Sequence, residues 1–179
     1  MTIALERPKK TKSAEIRDRL GYPIIDTDVH TNEFPPAFLE YLEQVGGTAL
    51  VDRFQENLPG ASRYRWFKQS WEQRRAYRTA RPPFWGRPTK DTLALATITL
   101  PALLYERLQE AGTDFAVLYP NLATLAPHIG NDEMRRAVCR AANLYHADIF
   151  RPYADRVTPV AAIPLNTPEE GIEELEYAV

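Results

Sequence analysis

The sequence predicts an α/β protein with a parallel sheet, and two observations support this prediction. Short apolar segments alternate with amphipathic helical segments in the order βαβαβα over residues 22–179. Alternating units of this kind place parallel strands side by side and join them by right-handed crossovers. A closed (β/α)₈ barrel and an open doubly wound sheet both fit this pattern. No glycine-rich phosphate loop follows any of the predicted strands.

The chain begins with a polar segment, residues 1–20, which we expect to be a flexible tail. Lys9, Lys10 and Lys12 lie among acidic residues there, and no apolar segment typical of an export signal is present. The sequence also contains no run of about 20 apolar residues, the length that a membrane-spanning helix requires. Residues 21–179 are therefore expected to form the folded domain.

The first predicted strand begins at Pro23 and ends in alternating acidic residues and a histidine. Because successive side chains of a strand point to opposite faces, Asp26, Asp28 and His30 are expected to share one face. Residues two positions apart in a strand are separated by about 7 Å, which is close enough for Asp28 and His30 to bind one cation. The alternative is that these acidic residues form turns or cap a helix at the strand end.

The next elements follow from periodicity and from residues that end helices. Residues 34–99 contain many prolines and only short helical patterns, so we expect a long insertion with short helices. A helix over residues 100–111 is expected to end at Gly112. A second strand is expected over residues 114–119, where an apolar run is followed by a proline.

A longer helix is expected to begin at Asn131 or Asp132, which are residue types that cap helices. Its predicted buried face consists of Met134, Val138, Ala142, Tyr145 and Ile149. The third strand is expected over residues 156–163. Proline is common at the first helical position, so a final helix should begin at Pro168. Its predicted buried face consists of Ile172, Leu175 and Val179.

Composition and charge argue against two classes of partner. The 22 basic and 24 acidic residues give a net charge of −2, so we expect no broad basic surface for nucleic acid or for an anionic membrane. Cys139 is the only cysteine, which excludes an intrachain disulfide and is typical of a cytoplasmic protein. Its position in a helical pattern predicts a small core residue.

Several segments carry a resemblance to a known family. They are residues 25–30 with Glu33, 81–88, 100–108, 112–120, 140–143 and 155–165. Taken in order, they resemble the amidohydrolase superfamily, in the amidohydrolase-related branch that includes aminocarboxymuconate semialdehyde decarboxylase. The resemblance implies a (β/α)₈ barrel, which typically needs about 250 residues. We therefore expect a partial barrel of about three βα units with the insertion 34–99, truncated at its C-terminus.

The resemblance also implies a divalent-metal site. In the family two ligands come from the first strand, and these positions match Asp28 and His30. The other two, a histidine from a middle strand and an aspartate from the last, have no counterpart, so the catalytic residues are expected beyond Val179. Zinc is the default cation for mixed nitrogen and oxygen ligands, and manganese is the alternative. Asp26 and Glu33 are expected to support the metal ligands without binding the metal.

Arg81, Arg87 and His128 are the predicted substrate contacts. The two arginines flank Trp85 in the insertion, and guanidinium groups bind carboxylates in a bidentate manner; substrates of the decarboxylase branch are carboxylic acids. His128 lies at the carboxyl end of the second strand, where barrel enzymes place substrate contacts. The alternative for all three is an ordinary solvated loop residue.

The expected function is that of a metal-dependent hydrolase, or of a non-oxidative decarboxylase, acting on a small cyclic or aromatic carboxylate. The complete protein is expected to be a cytoplasmic homo-oligomer. Residues 1–179 alone are expected to be inactive. The alternative is a truncated product without the remaining metal ligands, either a catalytically inactive fragment or an interaction remnant.

Overall fold

The computed structural model describes residues 10–57, 69–76 and 92–179. Within these residues the protein is an α/β structure in which a small parallel sheet is accompanied mostly by helices. The strands are β1 (Ile25–Thr31), β2 (Phe115–Pro120) and β3 (Val157–Pro159), which lie side by side in chain order. The predicted α/β class and parallel pairing are confirmed.

Helices precede, connect and follow the strands. Before β1 lies α1 (Lys12–Arg17), and after β3 lies α8 (Pro168–Ala178). The helices between the strands are α2 (Pro35–Asn57), α3 (Trp71–Ala76), α4 (Thr92–Thr97), α5 (Pro101–Ala111), α6 (Asn121–Leu125) and α7 (Asp132–Phe150). Short 3₁₀ helices cover Ala126–His128 and Arg151–Tyr153. Of the helices described, none combines the length and the apolar character needed to cross a membrane.

The strand register is regular except at one point in β1. Between Asp26 and Val29, three steps along β1 are matched by two steps along β2. A register shift of this β-bulge type interrupts the alternation of side chains between the two faces. The expected shared face of Asp26, Asp28 and His30 is therefore interrupted between Asp26 and His30.

One face of the sheet packs against α5 and α7. The buried residues of this layer are Leu104, Leu108, Ala116, Leu118, Phe150 and Val157. Val29 of β1 packs against the same layer, and it is the register partner of Leu118. His30 follows Val29 and therefore belongs to the opposite row. The alternate residues of β2 in that row, Val117 and Tyr119, are only half-buried.

A second core joins α2 to α7. Phe38, Leu42, Leu50 and Phe54 of α2 are almost fully buried in a cluster that also contains buried residues of α7. The helical stretch is broken at Gly47, whose φ of 74° and ψ of 170° are non-helical and are rarely adopted by residues with a Cβ. The predicted insertion thus begins with a helical stretch that Gly47 divides into two shorter helices.

Part of the predicted tail is a helix that contacts α5. Thr11 caps α1 by accepting a hydrogen bond from Ala14 N at 3.1 Å, and its hydroxyl donates to the carbonyl of Glu110. Arg17 pairs with Asp114, whose carboxylate also accepts a hydrogen bond from Ile24 N at 2.7 Å. Residues 10–20 of the expected tail therefore include a helix with tertiary contacts, and residues 1–9 lie outside the described residues.

Two helix boundaries are confirmed. α5 ends at Gly112, which adopts a left-handed conformation with a φ of 79°. α7 is capped by Asn131, whose side chain accepts a hydrogen bond from Met134 N. The buried face of α7 also contains the predicted residues Val138, Ala142 and Tyr145. Local sequence signals are thus sufficient for these elements.

The packing of α8 on α7 contradicts the prediction. Glu170 and Glu174 are each 4% exposed. They pair with α7, where Oε2 of Glu170 lies 3.0 Å from Nη2 of Arg135 and Oε2 of Glu174 lies 2.8 Å from Nε of Arg140. The apolar residues predicted to face inward are exposed instead, and they are Ile172, Leu175 and Val179. The predicted buried face was wrong because paired carboxylates occupy it.

Candidate metal centre

Asp28 and His30 lie next to each other near the carboxyl end of β1. Nε2 of His30 is 3.5 Å from Oδ1 of Asp28. The side chain of His30 is 32% exposed, whereas that of Asp28 is 84% exposed. Tyr119, the register partner of His30 on β2, has its ring centroid 6.3 Å from the imidazole. The pair therefore consists of a partly enclosed nitrogen donor and a solvent-accessible oxygen donor.

Asp26 contacts the backbone of Asp28. Its Oδ1 accepts a hydrogen bond from the backbone N–H of Asp28 at 3.1 Å, across the shifted part of β1. Short polar side chains that bond to a backbone two residues ahead stabilise a local turn of the chain. Asp26 therefore fixes the backbone from which the Asp28 carboxylate projects.

The spacing of Asp28 and His30 fits one shared cation. Ligand bonds of about 2.0–2.2 Å in tetrahedral geometry place two donor atoms about 3.4 Å apart, and the observed separation is 3.5 Å. One imidazole nitrogen and one carboxylate oxygen are typical ligands of zinc and compatible with manganese. The same separation also suits an ion pair with a protonated His30. Within the described ranges, no cluster of three or more His, Cys, Asp or Glu side chains could hold a metal ion.

Glu33 belongs to a buried cluster that joins the end of β1 to β2 and α7. Its side chain is 3% exposed, as is that of His146, and its Oε1 lies 3.4 Å from Nε2 of that histidine. The same oxygen accepts a hydrogen bond from Leu122 N at 2.7 Å. Sequence reasoning did not identify this pairing. The sequence feature that could have indicated it is His146, a histidine on the buried face of a long amphipathic helix.

The residues on either side of Glu33 are also held in place. Asn121 donates to the side-chain oxygen of Asn32 at 2.6 Å, and Asn32 N donates to the carbonyl of Ile98 at 2.7 Å. Phe34 N donates to the hydroxyl of Tyr145 at 3.1 Å. Burial raises the pKa of Tyr145, the nearby Glu33 carboxylate adds to this effect, and the Phe34 hydrogen bond opposes it. The segment after His30 is therefore anchored at three consecutive residues.

Of the three predicted substrate contacts, His128 lies within the described residues. His128 is the last residue of the 3₁₀ helix Ala126–His128 at the carboxyl end of β2, and its side chain is exposed. Arg81 and Arg87 lie outside the described residues. Cys139 is fully buried, and burial raises the pKa of its thiol to about 12, which confirms a core role.

Comparison with protein-family models, with curated proteins and with solved structures found no match to this chain. The grounds for a functional proposal are therefore the sequence motifs and the geometry of Asp28 and His30.

Proposed function

We propose that the protein is a metal-dependent hydrolase or non-oxidative decarboxylase of the amidohydrolase type, acting on a small cyclic or aromatic carboxylate. The observation that carries the proposal is the pair formed by Asp28 and His30, with donor atoms 3.5 Å apart on one strand of a parallel sheet. Parallel α/β proteins place their ligands at the carboxyl ends of the strands. A pair of donors with ligand spacing at this edge favours a metal site.

The arrangement of helices fits the (β/α)₈ barrel that we propose. Consecutive strands are neighbours and parallel, and α5 and α7 pack on the same face of the sheet. A barrel carries its helices outside and lines its interior with the alternate residues. His30 and Tyr119 belong to the row opposite the helices, which would be the interior of the barrel.

Each residue of the site has a defined task in this proposal. His30 would bind the cation through Nε2 in its neutral form, and Asp28 would contribute a negative oxygen. Asp26 would hold the backbone of Asp28. A bound divalent cation supplies the Lewis acidity that activates water or polarises a substrate carbonyl. Hydrolysis and decarboxylation make the same use of Asp28 and His30, so both remain within the proposal.

Recognition of the substrate carboxylate is proposed for Arg81, Arg87 and His128. Guanidinium groups form two parallel hydrogen bonds to a carboxylate, and exposed His128 lies at the carboxyl end of β2. We also propose a cytoplasmic homo-oligomer. The cytoplasmic location is supported by the single cysteine, Cys139, which is buried and forms no disulfide.

An activity assay with a chelator tests the proposed function. A panel of cyclic and aromatic carboxylic acids, and of their amides and lactones, is incubated with the protein. Release of carbon dioxide reports decarboxylation, and appearance of a new carboxylate reports hydrolysis. Turnover should disappear on metal removal, return with zinc or manganese, and be absent in His30→Ala. Turnover that survives both metal removal and His30→Ala would refute the metal mechanism. A metal-loaded protein that converts none of the compounds would favour the non-enzymatic alternative.

A further inference from the structure

We infer that Glu33 and His146 form a buried pair that positions His30. Neither residue is a metal ligand in this inference, and it rests on the proposed metal site at Asp28 and His30. Glu33 follows His30 by three residues on the segment that leaves β1, whereas His146 lies on α7. The pair therefore connects the predicted metal-binding strand to a long helix behind the sheet.

The two buried side chains lie within ion-pair distance of each other. Both are 3% exposed, with Oε1 of Glu33 and Nε2 of His146 separated by 3.4 Å. A buried carboxylate is costly unless hydrogen bonds or an opposite charge compensate it, and Leu122 N supplies one hydrogen bond. An imidazole lone pair directed at a carboxylate would be repulsive. In this inference the ring proton of His146 is therefore placed on Nε2, the nitrogen that lies 3.4 Å from Glu33.

The same part of α7 also holds the backbone beside Glu33. Tyr145 precedes His146, and its hydroxyl accepts the hydrogen bond of Phe34 N at 3.1 Å. The rings of Tyr145 and His146 contact each other edge to face, with centroids 5.0 Å apart. Two consecutive side chains of one helix thus bind two consecutive residues of the segment after His30. A rotation of this segment would have to break both contacts.

Positioning explains the pair better than a contribution to stability alone. The attraction within a buried ion pair is largely offset by the cost of removing both groups from water, so apolar side chains would stabilise the same packing equally well. What a buried carboxylate–imidazole contact adds is a defined link between α7 and the segment after His30. Groups that hydrogen-bond directly to metal ligands typically change metal affinity by 10–100-fold when they are removed, and Glu33 and His146 would act one step further out, through the backbone that leads from His30.

Cobalt(II) titration, followed by visible absorption, tests the inference in the purified protein. His146→Phe preserves a ring but removes the donor, and it should raise the Kd for cobalt by about tenfold or more. His146→Gln retains a donor towards Glu33 and should lose less affinity. Glu133→Gln is the matched control, because Glu133 also pairs from α7 but is 60% exposed. It should bind cobalt like the parent. Equal affinity of His146→Phe and the parent would overturn the inference.

A metal-free measurement separates failure of the inference from failure of the proposed function. The protein contains three histidines, so long-range ¹H–¹⁵N NMR can resolve His30, His128 and His146. We expect a protonated Nε2 on His146, and Glu33→Gln should shift the resonances of His146 and His30 while leaving His128 unchanged. A parent protein that binds no cobalt refutes the proposed function, and the NMR result still decides the inference. Unchanged His30 resonances in Glu33→Gln would show that the pair is structural only. The NMR comparison also decides the question if His146→Phe fails to fold.

Discussion

Arg135 on α7 and Glu170 on α8 form a buried ion pair, with Nη2 of Arg135 3.0 Å from Oε2 of Glu170. The side chains are 1% and 3% exposed. Glu170 also accepts hydrogen bonds from the backbone of Asn166 and Thr167, so one carboxylate holds α7, the start of α8 and the turn before it. The buried residues of α8 are Glu170, Gly171 and Glu174, so its contacts with α7 are largely polar.

We predict that Arg135→Met lowers the free energy of unfolding far more than Arg53→Met does. Arg135→Met leaves Glu170 as an uncompensated buried charge, which is strongly destabilising. Arg53 pairs with Glu133 at the surface, and such exposed pairs contribute about 0–1 kcal/mol. Urea denaturation of the two variants measures the difference. Similar losses in both would mean that the buried pair does not attach α8.

Gly112→Ala is predicted to be more destabilising than Gly21→Ala. Gly112 has a positive φ of 79°, which costs a residue with a Cβ about 1–3 kcal/mol, whereas Gly21 has no positive φ. A Cβ at Gly112 would also lie 2.8 Å from the carbonyl oxygen of Ser13 in α1, whereas a Cβ at Gly21 meets nothing within 4 Å. Thermal melts of the two variants give the comparison. Equal stability of the two variants would mean that α1 does not pack against Gly112 as described.

The attachment of α1 is predicted to weaken in acid. The hydrogen bond from Arg17, together with that from Ile24 N, holds the pKa of Asp114 below its usual value. A lowered folded-state pKa contributes stability above the unfolded carboxyl value of about 3.9, and this contribution is lost as the pH falls through the folded value. Asp114→Asn should remove this contribution to stability at every pH. Stability measured from pH 7 down to pH 2 should therefore fall more steeply in the parent than in the variant; parallel curves would contradict the assignment.

Arg81→Ala and Arg87→Ala are predicted to raise KM for an acidic substrate much more than for its neutral analogue. A lost hydrogen bond between charged groups costs about 1.5–3 kcal/mol. Arg75→Ala is a suitable control, because Arg75 is an exposed residue of α3 outside the predicted site. Steady-state kinetics on both substrates give the comparison, and equal effects on the two would remove the arginines from carboxylate recognition.

Much of the fold follows from local sequence signals. Gly112 ends α5 and Asn131 caps α7 because left-handed C-caps and side-chain N-caps depend on neighbouring residues alone. The apolar runs before Asp28 and before Pro120 likewise identified β1 and β2. These elements could be predicted because their determinants lie within a few residues of each other.

The remaining features depend on residues that are distant in sequence. Hydropathy places Leu175 inside and Glu174 outside, whereas Glu174 is buried against Arg140 and Leu175 is exposed. The pairing of Glu33 with His146 and the register shift in β1 are also set by neighbouring elements. Periodicity does not contain this information, because a charged residue becomes a buried residue only when its partner is in place.

The central claim is that Asp28 and His30 bind one divalent cation together. Isothermal titration of the metal-free protein with zinc tests it most directly. Four variants are compared with the parent: Asp28→Asn and His30→Ala in the site, and Asp52→Asn and His128→Ala as matched controls outside the predicted ligands. We expect a single site in the parent and in both controls, and a large loss of affinity in each of the site variants. Zinc binding that is equal in the parent, Asp28→Asn and His30→Ala would contradict the claim.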